Sequence, residues 1–252
     1  MTLVDRVLSL ARPLLVGLDV DGTLAPIVED PDAATIPEST MASLQRLGHA
    51  DDVVLALITG RDLSSLSRME QIDGIWRGVE HGGVVIAPGE RPKPRAMTES
   101  HRDALDRFDA WTREHAEGAF IEHKPGAIAV HVRVLAQAEP ERAQEILEEA
   151  EAFANSVGLH PRQGRSLVEV EAVTGDKGEA LREIFGRSRA ESVFFAGDDV
   201  TDLPAIEFAN QHGVGAFVIS DERTAPPGTP MTTLDGVDAV ATLLADLARR
   251  LG

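Results

Sequence analysis

Two carboxylates one residue apart follow a short apolar run near the start of the chain. The run "LLVGL" covers 14–18, Asp19 and Asp21 come after it, and Gly22 and Thr23 then break the apolar pattern. If 14–18 is a buried parallel strand, a period of two sends both carboxylates toward the sheet edge where such folds bind ligands. Two like charges so close cost free energy unless a divalent cation or a shared proton neutralises them. The pair predicts a cation or acid–base site, with a helix cap or a solvated loop as the alternative.

Similar polar residues follow other apolar runs. The run at 53–58 ends in Thr59, whose hydroxyl and backbone can hold an anion, and "DKGEAL" places Lys177 in the first turn of a helix, where phosphate is favoured. The run "SVFFAG" is followed by Asp198, Asp199 and Asp202, in a pattern that does not continue as a calcium loop. Each residue alone could be a cap or a surface side chain. Together, at strand ends and helix starts of one predicted sheet, they indicate a site for phosphate and a divalent cation.

These residues can form one site only if the strands and helices that carry them bring them to the same edge of a sheet. Continuous apolar runs alternate with helical patterns in both outer parts of the chain, which predicts a doubly wound, parallel α/β sheet of the Rossmann-like kind. The middle of the chain reads instead as helix, hairpin, helix, hairpin, with the first hairpin turning at Pro125 and Gly126. We therefore predict a core domain over 1–96 and 173–252, and a smaller α+β domain inserted over 97–172. The apolar runs assigned to strands of the core lie at 14–18, 53–59, 74–86, 192–199 and 215–220.

The composition of the chain limits the classes of partner and of metal site that we expect. The 252 residues include 42 Asp and Glu against 24 Lys and Arg, for a net charge of −18. Such a field repels nucleic acid and anionic membrane surfaces, so we expect neither as a partner. The absence of cysteine excludes disulfides and thiolate zinc sites. No apolar run has the length of a signal peptide or a membrane span, which predicts a cytoplasmic protein. Nothing in the sequence sets the oligomeric state, and a monomer is favoured.

The polar motifs, taken in order, resemble a known superfamily. "DVDGT", Thr59, "DKG" and "GDDVTD" are similar to the four motifs of the haloacid dehalogenase superfamily phosphatases. Longer stretches, "DVDGTLAPIVEDPDAA", "ITGR", "VEHGG", "IEHKPGAIAVHVR" and "GDDVTDLPAIEFA", resemble the trehalose-6-phosphate phosphatase family, with the insertion similar to its α/β cap. The resemblance covers nearly the whole chain. It implies a Mg²⁺-dependent phosphoric monoester hydrolase.

The resemblance also implies roles for the core residues. Asp19 would be the nucleophile that forms an aspartyl-phosphate, and Asp21 the general acid and base. Thr59 and Lys177 would hold the phosphoryl oxygens, while Gly22 and Thr23 turn the chain and bring backbone N–H groups toward the phosphate. Mg²⁺ would be held by the Asp19 carboxylate, the Asp21 carbonyl and Asp198. Asp199 and Asp202 are expected to orient metal-bound water or Lys177.

The inserted domain is expected to select the leaving group. Glu122 and Lys124 share one strand face, as do Glu169 and Glu171, and such groups hydrogen-bond vicinal hydroxyls unless the face is merely solvated. By resemblance, Glu122, Lys124 and Glu169 match cap positions that grip the distal glucose of trehalose phosphate. On the core side, the matching positions that line the cleft are Arg61, His81 and Gly82.

The chain departs from the family at the sugar end. Glu171 and Ala172 stand where an Arg-Pro pair is usual, and Leu203 where an acidic residue is common. We expect hydrolysis of a disaccharide phosphate, with trehalose 6-phosphate preferred. The alternatives are sucrose phosphate, a glycosyl-phosphoglycerate or a pseudo-disaccharide phosphate. A different class of alternative is a non-catalytic module that senses a sugar phosphate.

Overall fold

The structure, a computed structural model, describes residues 1–28, 30, 33–93, 97–124, 126–164, 166–173, 175–220, 223–226 and 231–252. The strands are Leu14–Leu18 (β1), Val53–Ile58 (β2), Trp76–Val79 (β3), Val84–Ile86 (β4), Phe120–Lys124 (β5), Ala127–His131 (β6), His160–Gly164 (β7), Leu167–Glu171 (β8), Ser192–Gly197 (β9), Gly213–Ile219 (β10) and Thr232–Asp235 (β11). The helices are Leu3–Leu8 (α1), Glu38–Gly48 (α2), Leu63–Met69 (α3), Glu99–His115 (α4), Leu135–Ala138 (α5), Pro140–Ser156 (α6), Lys177–Ser188 (α7), Leu203–His212 (α8) and Gly236–Leu251 (α9).

The chain divides into two units. The first comprises 1–94 and 175–252, and the second comprises 95–174. The domain boundary predicted at Ala96 lies outside the described residues. Each unit has a sheet and an apolar core of its own. Among the helices of the described ranges, none is long and apolar enough to cross a membrane.

The first unit is built on a seven-stranded sheet in the order β11-β10-β9-β1-β2-β3-β4. Every neighbouring pair is parallel except β3 and β4, which are antiparallel. The central strand β1 is buried along its whole length, since its two faces belong to different apolar clusters. Leu14, Val16 and Leu18 point to one cluster, and Leu15 to the other. The predicted α/β class is confirmed, although the sheet is mixed rather than wholly parallel.

The antiparallel edge arises within the apolar run at 74–86. A 3₁₀ turn at Glu80–Gly82 divides this run, with Glu80 and His81 both at φ 55°. Left-handed backbone at successive residues reverses the chain, so β4 returns alongside β3. Periodicity shows the apolar residues on both sides of the turn, and Gly82 and Gly83 interrupt the run, but the pattern does not show that the chain reverses there.

Two elements of the first unit have no counterpart in the predicted pattern. Helix α1 is only six residues long and is fixed by a reciprocal cap in which Thr2 and Asp5 bond each other's backbone. Strand β11 has four residues, of which only Leu234 is buried. Both are too short for a periodic signal and depend on their neighbours for stability.

The second unit carries the predicted antiparallel sheet, in the order β5-β6-β8-β7. Residues Ile128 and Val130 on β6, and Val168 and Val170 on β8, are at most 4% exposed and join an apolar cluster with α4 and α6. The opposite face of the sheet carries polar and charged side chains. The predicted first turn includes Pro125, which lies outside the described residues, and Gly126, at φ +81°.

Candidate active site

Asp19 lies at the edge where the central strands of the first unit end. Strand β1 pairs in parallel with β2 on one side and β9 on the other, and the three strands end within a residue or two of the same level. The N–H of Asp19 donates to the carbonyl of Ala196 at 2.9 Å, which continues the ladder one residue past the strand. Its side chain is buried. The residues that follow β1, β2 and β9 are therefore brought together, as expected for parallel strands.

Lys177 connects two of these carboxylates. Asp176 caps α7 by accepting the N–H of Glu179, which makes Lys177 the first helical residue. The Lys177 ammonium donates to Oδ1 of Asp19 at 2.7 Å and to Oδ1 of Asp202 at 2.8 Å. Burial lowers the pKa of Lys177, but the charges and hydrogen bonds of the two carboxylates outweigh burial, so the pKa lies above its ordinary value. Lys177 is thus a fixed, permanently charged group.

The aspartates after β9 have different surroundings. Oδ2 of Asp202 accepts the backbone N–H groups of Asp198 and Asp199, at 3.1 and 3.0 Å. Burial, and next the charge of Asp19, raises the pKa of Asp198 to about 8, against the opposing effect of Arg223. Burial and Asp19 likewise raise the pKa of Asp202 to about 7, with Lys177 opposing. In both groups burial is the main cause of the higher pKa, and the charge of the neighbouring Asp19 adds to it.

This cluster has the donors that a hard divalent cation requires. One carboxylate oxygen from each of Asp19, Asp198 and Asp202 lies within 4.8 Å of the other two. Within the described ranges, the buried Oδ1 of Asp198 has no hydrogen-bond partner. Orphaned oxygens of this kind are costly unless a ligand satisfies them, and an all-oxygen donor set suits Mg²⁺. The residues present therefore fit the predicted ion.

The Asp21 carboxylate is oriented by Arg61, whereas that of Asp19 is bonded by Lys177. Nε and Nη2 of Arg61 donate to the two carboxylate oxygens of Asp21, at 2.7 and 2.6 Å, and Nη1 donates to Ser65 at 2.9 Å. The Arg61 N–H also donates to the hydroxyl of Thr59, which is fully buried. Thr59 and Arg61, at the end of β2, are thus brought beside the residues after β1.

Gly22 lets the chain pass very close to Asp198. Its φ is +79°, and a Cβ there would lie 2.0 Å from Oδ2 of Asp198. No side chain larger than hydrogen fits without moving the carboxylate. The adjacent Thr23 is fully buried, and no hydrogen-bond partner of its hydroxyl is found among the described residues.

A cavity of about 450 Å³ in the first unit contains most of these groups. His81, held in left-handed backbone by its N–H bond to the Thr59 carbonyl, lines the cavity. Gly82 lies against α7, where a Cβ would be 2.6 Å from the Asp176 carbonyl. Arg223 also lines the cavity, although no sequence motif indicates it, since it lies in a segment after β10 without helical or strand periodicity. The charged side chains around the cavity include those of Asp19, Asp21, Arg61, Lys177, Asp198 and Arg223.

The exposed face of the sheet in the second unit is a set of ion pairs. The register places Glu122, Ala129, Glu169 and Arg162 in one row across the four strands. Lys124 donates to Glu169 at 2.8 Å, and this hydrogen bond raises the Lys124 pKa against the effect of partial burial. The same face carries the pairs of His131 with Glu122, at 2.9 Å, and of Arg162 with Glu171, at 3.3 Å.

Comparisons with known proteins agree on one family. The family model described as trehalose-phosphatase matches residues 17–229. A trehalose-phosphate phosphatase of Mycobacterium marinum is 31% identical over an alignment of 253 positions that covers 97% of this chain and 63% of that protein. A protein of Mycobacterium tuberculosis named an uncharacterized glycosyl hydrolase is 32% identical over an alignment of 229 positions that covers 86% of this chain and 17% of that protein. The chain therefore spans less than two thirds of either relative.

The solved structures show the fold. The trehalose-6-phosphate phosphatase of Aspergillus fumigatus superposes with a TM-score of 0.69 at 22% identity, over 98% of this chain and 96% of that one. At that identity the likeness concerns the fold alone. The architecture expected from the sequence motifs is thereby confirmed.

Proposed function

We propose that the chain, which belongs to the trehalose-phosphatase family, hydrolyses the phosphate monoester of a disaccharide, with trehalose 6-phosphate as the preferred substrate. The observation that carries this proposal is the Lys177 ammonium between Asp19 and Asp202, beside the buried Oδ1 of Asp198, which has no hydrogen-bond partner in the described part of the chain. Three carboxylates and one amine buried together leave an excess of negative charge, which a bound cation would balance.

Asp19 is the proposed nucleophile. Lys177 holds one of its carboxylate oxygens, and we assign the attack on phosphorus to the other. The new O–P bond gives an aspartyl-phosphate as the bond to the sugar oxygen breaks, and water then hydrolyses the intermediate to release phosphate. One difficult displacement becomes two easier ones.

Asp21 is the proposed general acid and base. It would protonate the leaving sugar oxygen and afterwards take a proton from the attacking water, a contribution of roughly 10²- to 10⁴-fold in rate. Arg61 fixes the orientation of this carboxylate through two hydrogen bonds. Both carboxylates line the cavity, and about two fifths of the Asp21 side chain is exposed, whereas the Asp19 side chain is buried.

The transferring phosphoryl group needs cationic and hydrogen-bonding partners. Lys177 supplies a charge, Thr59 a hydroxyl, and the turn at Gly22 and Thr23 supplies backbone N–H groups. Mg²⁺, which Asp19, Asp198 and the Asp21 carbonyl would hold, supplies charge that offsets the repulsion between carboxylate and phosphate. Asp202 and Asp199 act through Lys177 and the loop after β9.

The leaving group is the proposed ligand of the second unit, over 97–172. Glu122, Lys124 and Glu169 are the residues assigned to sugar hydroxyls. The Lys124 ammonium and the Glu169 carboxylate lie 2.8 Å apart and so offer a donor beside an acceptor, while Glu122 adds a second carboxylate on the same face of the sheet. Glu171 and Ala172 differ from the usual pattern of the family. The guanidinium of Arg162 pairs with Glu171, so the face has a cation from β7. This difference supports other glycosyl phosphates as alternative substrates.

A phosphate-release screen over a panel of sugar phosphates tests the proposal. The panel includes trehalose 6-phosphate, sucrose phosphate, a glycosyl-phosphoglycerate and glucose 6-phosphate, each with Mg²⁺ and with EDTA. We expect release from trehalose 6-phosphate with Mg²⁺ only, and none from Asp19→Asn. Tight binding of a sugar phosphate without any release would favour the non-catalytic sensor. Release that persists in EDTA would contradict the metal assignment.

A further inference from the structure

Arg223 makes the two oxygens of Asp198 unequal. Its Nη1 lies 2.9 Å from Oδ2 of Asp198 and 3.5 Å from Oδ1 of Asp199. Asp198 is 3% exposed, and its other oxygen, Oδ1, is the buried atom without a partner among the residues that the structure describes. One oxygen is thus occupied by a guanidinium, and the other is available to a ligand.

The fold delivers Arg223 to this place. Strand β10 pairs in parallel with β9, with Phe217 opposite Gly197, so the chain leaving β10 emerges beside Asp198. The backbone of Arg223 is bonded to that of Ser220, whose N–H donates to the Arg223 carbonyl at 2.8 Å. The Arg223 N–H returns a bond to the Ser220 hydroxyl at 3.2 Å. Both the N–H and the carbonyl of Arg223 are therefore hydrogen-bonded, which fixes the backbone from which its side chain extends.

We propose that Arg223 is a positioning residue that holds Oδ2 of Asp198 and so presents Oδ1 to the metal ion. A carboxylate that rotates freely about its Cβ–Cγ bond can offer either oxygen to a cation. Binding the cation through one oxygen then costs the side chain this rotational entropy. The backbone of Gly22 also lies close to the Asp198 carboxylate, since a Cβ at Gly22 would be 2.0 Å from Oδ2. Hydrogen bonds to ligating carboxylates typically change metal affinity by about 10- to 100-fold. The inference rests on the proposed function, because it assumes that Asp198 binds the metal.

Calorimetric titration of the metal-stripped full chain with Mg²⁺, without substrate, tests the role. We expect Arg223→Gln to weaken Mg²⁺ binding by about 10- to 100-fold. Arg223→Lys, which keeps a charged donor, should lose less. Arg249→Gln, which removes an exposed arginine paired with Asp246 on α9, is the matched control and should bind as wild type. Because only affinity is affected, saturating Mg²⁺ should restore the kcat of Arg223→Gln.

The possible outcomes distinguish the positioning role of Arg223 from the assignment of Asp198 to the metal site. Unchanged or tighter Mg²⁺ binding by Arg223→Gln would overturn the positioning role, and tighter binding would mean that the guanidinium competes with the ion. A wild type that does not bind Mg²⁺ would overturn the metal assignment itself, together with this inference. If Arg223→Gln does not fold, Arg223→Ala takes its place in the comparison with wild type, and equal Mg²⁺ affinities of those two proteins would overturn the role.

Discussion

Arg61 and Asp21 form a two-point ion pair, with both carboxylate oxygens bonded to one guanidinium at 2.6 and 2.7 Å. The residues are forty positions apart in the chain and meet because β1 and β2 are neighbours in the sheet. A fork of this kind fixes the plane of the carboxylate as well as its position.

Arg61→Gln should lower kcat by about 10- to 100-fold, because Asp21 would no longer be aligned with the leaving oxygen. Steady-state kinetics with a sugar phosphate provides the measurement. Arg46→Gln, at the last turn of α2, serves as the control and should leave kcat unchanged. An Arg61→Gln enzyme with wild-type kcat would show that the pair has no role in turnover.

Asp19→Asn should abolish turnover, with a loss of roughly 10⁴- to 10⁶-fold in kcat, because an amide does not attack phosphorus. The protein should remain folded, since the change is nearly isosteric and the bond from Lys177 to Asp202 persists. Circular dichroism and thermal unfolding check the fold, and phosphate release checks activity. Substantial remaining activity would disprove the assignment of the nucleophile.

The stability of the metal-free protein should depend on Asp198. Its pKa is 3.8 in the unfolded reference and rises to about 8 in the folded chain through burial and the charge of Asp19. The folded protein thus retains a proton that the unfolded chain has lost. Stability from this group is complete below pH 3.8 and is lost as the pH rises through about 8.

Urea unfolding in EDTA, from about pH 5 to about pH 9, measures this effect against an Asp198→Asn variant. Relative to the variant, wild type should lose on the order of a few kcal/mol over that range, at about 1.4 kcal/mol per pKa unit. Mg²⁺ should reduce the loss, because it binds the ionised carboxylate. Parallel pH profiles for the two proteins would be the contrary result.

Glu169→Ala should reduce kcat/KM for the sugar ester by roughly 5- to 100-fold, the equivalent of 1–3 kcal/mol for a lost hydrogen-bond partner. An aryl phosphate, which has no sugar hydroxyls, should be hydrolysed at nearly the wild-type rate. Glu148→Ala, on the exposed side of α6, is the control. Equal losses on both substrates would contradict a role of Glu169 in recognising the sugar.

The Glu169→Ala variant also tests the ion pair between Lys124 and Glu169. The pKa of Lys124 is raised chiefly by the hydrogen bond that its ammonium donates to Glu169, so Glu169→Ala should move this pKa back toward its ordinary value. A pH titration of the Lys124 side chain followed by NMR measures the change. An unmoved pKa would mean that the pair at 2.8 Å does not persist in solution.

The sequence by itself determined the α/β class, the antiparallel insertion and the residues that follow the central strands. These are local properties, since apolar runs and turn residues depend on near neighbours, and parallel strands must end at one edge. What only the tertiary structure decided is which charges meet. Asp19 pairs with Lys177, 158 residues away, while Asp21, two residues later, pairs with Arg61. Arg223 reaches Asp198 from a segment with no periodic signal. Such pairings depend on side-chain directions and close backbone approaches, as at Gly22, which a linear pattern does not contain.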